Sequence, residues 1–265
     1  MNPWLETCRA CAADIERVLS GLPTRVEREP VLRVGKGGDD TTAIDEAAEQ
    51  AVVARLEETG ESFVLVSEEL GRREIGSGGP VHVVVDPIDG SVNAKRGIPF
   101  FSFSLAVAEG PAMADVVFGY VYDFGTGEEW TAERGRGAFL ADARLGAVRP
   151  KETVEILSFE GTTTAVIAEK IGDIVGIAGR VRVMGSLALS LCHLAAGRVD
   201  AVCSLRGARS VDIAAAQLLV RECGLAIELV EDPPFEAARL DLVARSRVVA
   251  AGTPDLVSSL AAALG

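Results

Sequence analysis

The sequence predicts a mixed α+β first half, residues 1–150, joined to an alternating α/β second half, residues 151–265, in one compact unit. Three observations lead there. The hydrophobic pattern switches repeatedly between helical and strand periods. In the first half three β-rich runs follow one another with only turns between them, which favours an antiparallel meander. Beyond residue 150 strand-like and helix-like stretches alternate, and no low-complexity linker divides the halves.

The elements follow in order. The N-terminal MNPWLETCRACAADIERVL reads as an amphipathic helix, with Leu5, Ile15, Val18 and Leu19 apolar among Glu6, Arg9, Asp14, Glu16 and Arg17. Residues 45–58, rich in Ala and Glu, form a second helix that Gly60 closes. Short β-rich runs occupy 62–67 (SFVLVS) and 81–85 (VHVVV), separated by a polar, glycine-rich stretch at 71–80. The meander comprises 101–108, 114–122 and 128–133, with turns at 109–111 and 124–127. Strand 154–159, helix 164–174, strand 181–183, helix 185–196, strand 200–204 and helix 212–223 complete the pattern before further alternation.

Composition narrows the function. With 265 residues, 48% of them apolar, the chain can bury a sizeable core, and disorder is excluded. Acidic residues outnumber basic ones, 39 against 26, for a formal charge of -13. A field of that sign repels phosphate backbones, so no nucleic-acid partner is expected. A solvated surface would account for the surplus; carboxylates gathered around a cation would too. No apolar run reaches the roughly 20 residues of a membrane span, and the N-terminus lacks the order of a secretory leader. Five cysteines argue against a disulfide scaffold, so the expected compartment is the cytoplasm. Cys8 and Cys11 form a C-x-x-C without a second pair at metal spacing, which favours packing over zinc or redox chemistry. His82, in a buried-looking strand, and His193, on an apolar helix face, read as core or hinge residues.

The chemistry lies with acids at the ends of elements, where side chains from several segments can converge. Glu68 and Glu69 end the SFVLVS strand, Asp86 ends VHVVV, Asp89 follows, and Asp212 opens the helix DIAAAQLLVREC. In Asp86-Pro87-Ile88-Asp89-Gly90-Ser91, Pro87 is expected to stop the strand and start a turn. Asp86 and Asp89 can then face one side with the Ile88 carbonyl between them, a hard oxygen set suited to Mg²⁺ or Mn²⁺ rather than zinc. Gly90 permits close backbone approach, and the Gly90 and Ser91 amides could receive a phosphate oxygen. Taken alone, the same residues could merely build a turn.

The ordered set VSEE, DPIDGS and VDIAAAQLLVRECG resembles the inositol monophosphatase family, within the superfamily of Mg²⁺-dependent, lithium-sensitive phosphatases that includes fructose-1,6-bisphosphatases. GDDTTAIDEAAEQ resembles its mobile N-terminal loop and acidic helix. VYDFGTGEEWTAERGRGAFLADARL resembles its hairpin, and GSLALSLCHLAAGRVDA its sugar-side helix; coverage runs from about residue 35 to 225. The resemblance implies a layered αβαβα sandwich and a homodimer. It implies that Glu68, Asp86 and the Ile88 carbonyl hold a first Mg²⁺, which activates water, and that Asp86, Asp89 and Asp212 hold a second beside the leaving group. A weaker third cation would face Glu68 through water, and Mn²⁺ could substitute. Asp45 would hydrogen-bond Ser91, whose hydroxyl orients the nucleophilic water, while the Gly90 and Ser91 amides bind phosphate. Gly185 and Ser186 would line the sugar side.

The sequence also departs from the family. Inositol-preferring members carry a glutamate seven residues before the helix-opening aspartate, where this chain has Leu205, with Arg206 next and Arg209 nearer Asp212. Val211 stands where tryptophan is usual. The pattern resembles archaeal-type enzymes that accept both inositol phosphates and fructose 1,6-bisphosphate. Arginine suits a second phosphate because its planar fork binds phosphate oxygens bidentately, although surface ion pairs with nearby acids would use the same residues. Arg182 is a weaker candidate. The loop VGKGGDD (34–40) lacks the P-loop pattern and reads as a lid carrying Lys36 and Asp39 or Asp40, or as an ordinary surface loop. The expected function is hydrolysis of a small phosphorylated sugar or polyol. A 3′-phosphoadenosine 5′-phosphate phosphatase and a non-catalytic regulatory protein on the same fold are the alternatives.

Overall fold

The structure is a computed structural model describing residues 2–146, 151–231, 233–241 and 243–265. The boundary that the sequence places at residue 150 lies outside the described residues.

Five layers stack on one another. Helices α1 (Pro3–Gly21) and α3 (Ala43–Glu57) cover the outer face of an eight-stranded sheet; the short α2 (Arg25–Arg28) lies between them in sequence. That sheet contains β3 (Phe63–Ser67), β4 (Gly71–Ile75), β5 (His82–Asp89), β6 (Ser102–Ala108), β7 (Val116–Asp123), β8 (Glu129–Glu133), β9 (Gly137–Leu140) and β10 (Ala143–Arg144), in the order β10-β9-β8-β7-β6-β5-β3-β4. Only β3 and β5 pair in parallel; β5 through β10 form the antiparallel meander. A small ribbon of β1 (Val31–Val34) and β2 (Asp40–Thr42) flanks the loop at 35–39, and α4 (Ser91–Arg96) follows β5.

The middle layer is α6 (Leu187–Ala195) and α7 (Ser210–Glu222). Beyond it lies a five-stranded sheet, β12-β11-β13-β15-β14, formed by β11 (Val154–Glu160), β12 (Ala178–Arg182), β13 (Ala201–Ser204), β14 (Ala226–Leu229) and β15 (Val248–Ala251). Helices α5 (Thr164–Lys170) and α8 (Pro254–Leu264) occur in the same half, and α8 packs on its outer face. This is the αβαβα sandwich.

Strand periodicity explains the stacking. Phe63 and Leu65 face α1 and α3 with Ile15, Ile44 and Leu56, whereas Val64 and Val66 face the middle helices with Leu191, Val211 and Leu218. A strand buried on both faces must be apolar at every position, hence the continuous runs FVLVS and VHVVV. Cys8 and Cys11 are free thiols in the α1–α3 layer, and burial pushes Cys11 up to about 12, so they pack as small apolar groups. His82 bonds the Pro80 carbonyl at 2.8 Å, and His193 stacks on Phe100. No helix among the described residues is long and apolar enough to cross a membrane.

Candidate active site

Three distant segments bring their acids to one place. Glu68 follows the last residue of β3, Asp86 and Asp89 lie on β5, and Asp212 is the third residue of α7. Contrary to expectation, Pro87 does not end β5. The strand continues to Asp89 across a register shift, because a residue without an N–H can be accommodated at a bulge. Asp86 Oδ1 accepts the Ile88 N–H at 3.0 Å across that bulge. Asp212 closes the start of α7 by accepting the Arg209 N–H at 2.6 Å.

Asp89 and Asp212 line a common pocket of about 740 Å³, together with Asn93, Glu160, Thr162, Gly185, Arg206 and Arg209. Asp89 is held from the side of α6: Ser186 Oγ and the Ala188 N–H (2.8 Å) both donate to its Oδ2. Gly90 takes a left-handed φ of 96° and caps α4, and a Cβ there would stand 3.0 Å from the Gly185 carbonyl.

Burial and mutual repulsion make Glu68, Asp86 and Asp89 hard to ionise. Burial raises Glu68 to about 8, opposed by Arg209 and reinforced by Asp212 and Glu69. Burial raises Asp89 to about 7, with the Ser186 hydrogen bond opposing and Asp212 reinforcing. Asp86 is pushed well above the usual carboxylate range by burial and then by Glu68, Asp89 and Asp212.

One cation of the chain already answers that charge. The buried Arg209 guanidinium places Nη2 at 2.6 Å from Glu68 and 3.1 Å from Asp212, and Nη1 at 3.3 Å from Asp39. Among the described residues no three His, Cys, Asp or Glu side chains converge as placed on one ion position; the guanidinium spans Glu68 and Asp212 instead. The donor set itself fits Mg²⁺: every donor is oxygen, and the four acids once ionised would carry more negative charge than one arginine offsets.

Comparison with known proteins finds relatives along nearly the whole chain. Residues 4–264 match the inositol monophosphatase family. A fructose-1,6-bisphosphatase/inositol-1-monophosphatase of Methanothermobacter thermautotrophicus is 34% identical over 263 residues, covering 96% of this chain and 93% of that one. A Nus factor SuhB of Pasteurella multocida is 32% identical, covering 84% of each chain. Among solved structures, the MJ0109 gene product, titled inositol monophosphatase–fructose 1,6-bisphosphatase, superposes with a TM-score of 0.85 at 26% identity, covering 99% of this chain and 100% of that one. The chain belongs to the inositol monophosphatase family.

In this inositol monophosphatase family member one expected contact differs. Asp45 does not bond Ser91: its Oδ2 takes the Thr42 N–H (3.0 Å) and hydroxyl (2.5 Å) at the start of α3, and Ser91 Oγ donates to the Ile88 carbonyl at 3.0 Å. Asp45 Oδ1 is buried and has no hydrogen-bond partner among the described residues, an acceptor open to a further donor. Arg209, which the sequence leaves open between a second phosphate and pairing with nearby acids, lines the pocket with its guanidinium committed to three carboxylates. Arg206 does stand exposed on the pocket, and Leu205 is buried in the outer core. Among the described residues the Arg182 side chain bonds only the neighbouring Val181 carbonyl.

The loop at 35–39 is docked onto the site. Lys36 and Gly37 donate N–H groups to the Glu69 (3.2 Å) and Glu68 (3.0 Å) carbonyls, and Arg245 donates to the Gly37 carbonyl. Glu69 is buried and receives the Thr41 hydroxyl. Sequence reasoning missed Glu160, Asn93 and Arg245. Glu160 had a readable signal, an acid at a strand end just before Gly161-Thr162-Thr163.

Proposed function

We propose that this family member is a Mg²⁺-dependent phosphoric monoester hydrolase of small phosphorylated sugars and polyols, with inositol 1-phosphate and fructose 1,6-bisphosphate as substrates. The observation that carries the reading is that Asp89 of β5 and Asp212 of α7 line one polar pocket with Arg206 on its rim, while Arg209 joins Asp212 to Glu68 just past β3. Glu68, Asp86, Asp89, Asp212 and the Ile88 carbonyl would hold the cations. Bound Mg²⁺ supplies Lewis-acid activation of water and charge compensation at the phosphoryl oxygens.

The chain's own groups do the rest. The Gly90–Ser91 turn offers backbone amides to the phosphate. Ser91 Oγ and the open Oδ1 of Asp45 are the groups for orienting the attacking water's protons. Gly185 borders the pocket, the next residue, Ser186, is buried against Asp89, and Arg206 on the rim suits a second phosphate of the substrate. The buried Leu205 in place of a hydroxyl-binding glutamate favours that bis-phosphate specificity over ring-hydroxyl recognition. Two Mg²⁺ with a weaker third, exchange for Mn²⁺, a homodimer and a cytoplasmic location complete the reading and rest on the family resemblance.

Phosphate release with Mg²⁺ over inositol, fructose and nucleotide phosphates tests it. Turnover of the first two, abolished by chelation, is expected; turnover of 3′-phosphoadenosine 5′-phosphate alone would replace the reading, and none at all would leave a non-catalytic protein. Arg206→Ala should lower fructose 1,6-bisphosphate turnover about 10- to 100-fold, the weight of a charged hydrogen bond, and spare inositol 1-phosphate. An unchanged ratio of the two activities would remove Arg206 from the specificity.

A further inference from the structure

Glu160 ends β11 and is 1% exposed, yet its carboxylate borders the substrate pocket. Its Oε1 receives Ser158 Oγ at 2.8 Å, Ser190 Oγ at 2.7 Å and the Met184 N–H at 3.4 Å. Its Oε2 receives the Gly185 N–H at 2.8 Å. A carboxylate buried this deeply is costly unless donors satisfy it, and here two of the donors are backbone groups of the strap that leads from β12 into α6.

That strap touches the reaction centre at its next residues. Ser186 caps α6, accepts the Leu189 N–H at 3.3 Å and donates its hydroxyl to Asp89 Oδ2, which also receives the Ala188 N–H. On its other side, Asn93 Nδ2 donates to the Met184 carbonyl at 2.7 Å. Gly185 takes a φ of 94°, and its carbonyl lies against Gly90 of the phosphate turn. Glu160 therefore fixes the strap's N–H groups, Asn93 fixes a carbonyl, and the strap in turn fixes which oxygen of Asp89 is spent on the protein. The other oxygen, Oδ1, is left for the cation.

We propose that Glu160 is a positioning residue, acting through the 184–186 strap and Ser186 to orient Asp89 toward the cation. The inference rests on the phosphatase reading above. Outer partners of metal ligands typically govern about 10- to 100-fold in affinity or activity. Both Glu160 oxygens are already engaged by the protein, which favours this role over direct contact with substrate hydroxyls.

Calorimetric titration with Mg²⁺ tests the proposal without turnover. Glu160→Ala and Ser186→Ala should each weaken Mg²⁺ binding about 10- to 100-fold. The double variant should be no weaker than the worse single, because both act along one chain of contacts. Glu160→Gln should recover much of the affinity: its carbonyl can accept the Gly185 N–H while its amide donates to the serine hydroxyls. Wild-type affinity in Glu160→Ala, losses that multiply in the double variant, or a raised KM with Mg²⁺ affinity intact would each overturn the proposal. Should Glu160→Ala not fold, Glu160→Asp, one methylene shorter, carries the same expectation. Wild-type protein that binds Mg²⁺ but hydrolyses no ester would sink the activity alone, and wild-type protein that binds no Mg²⁺ would sink the metal reading itself.

Discussion

At the scale of single residues, Arg209 behaves as a resident cation. It contacts Glu68, Asp212 and Asp39 from a buried position, and the first two are among the acids suited to Mg²⁺. Removing one partner of a buried charge cluster typically costs about 3–5 kcal/mol, because the remaining charges lose their compensation. Arg209→Gln should therefore lower the melting temperature measured in chelator. The same change removes a competitor for Glu68 and Asp212, so Mg²⁺ should bind more tightly in calorimetry. Weaker Mg²⁺ binding by the variant would mean that the guanidinium supports the ligands and does not compete for them. The candidate ligand acids were legible in sequence because hard-cation chemistry restricts both residue type and place: acids, at element ends. The three partners of Arg209 were not, since an arginine's long side chain reaches whatever the tertiary structure offers. Glu160 is one acid in an apolar strand, and its partners come from α6 and the strap before it, far away in sequence.

At the scale of elements, strands buried on both faces were readable as unbroken apolar runs, whereas β4 was not. Its sequence Gly-Arg-Arg-Glu-Ile exposes three charged residues, and pairing to β3 at the sheet edge makes it a strand. The helix expected over 164–174 is an α-helix only to Lys170, with a tighter 3₁₀ turn from Ile171 to Ile174. How closely the elements approach is also hidden from pattern. Gly119 on β7 lies under α7, and a Cβ there would stand 2.6 Å from the Ala215 carbonyl. Gly119→Ala must push apart the sheet and the helix that carries Asp212. Overpacking of this kind costs about 1–3 kcal/mol, readable as a lower denaturant midpoint. Because α7 shifts with it, the variant should also need more Mg²⁺ for half-saturation. An unchanged midpoint would show that α7 yields without cost.

At the scale of the whole molecule, the acids tie layers together: Asp86 and Asp89 belong to the eight-stranded sheet, Glu68 follows its strand β3, and Asp212 belongs to the helix layer above it. Without a divalent cation the packing that brings these acids close opposes their ionisation, and Arg209 offsets only part of that cost. A ligand that binds only the folded state stabilises it by about 2.7 kcal/mol at a hundred times its dissociation constant. For a chain of this length that corresponds to a rise in melting temperature of roughly 5–10 °C. Millimolar Mg²⁺ should produce such a rise over protein in chelator, and a melting curve that ignores Mg²⁺ would contradict the metal reading. Asp212→Asn separates repulsion from ligation. It removes one charge from the cluster and one oxygen ligand from the cation, leaving the amide oxygen able to accept the Arg209 N–H that closes α7. The Mg²⁺-induced rise should then shrink or vanish while the variant in chelator melts no lower than the wild type in chelator. A variant that melts lower in chelator and still responds fully to Mg²⁺ would assign Asp212 to helix capping rather than to the cation.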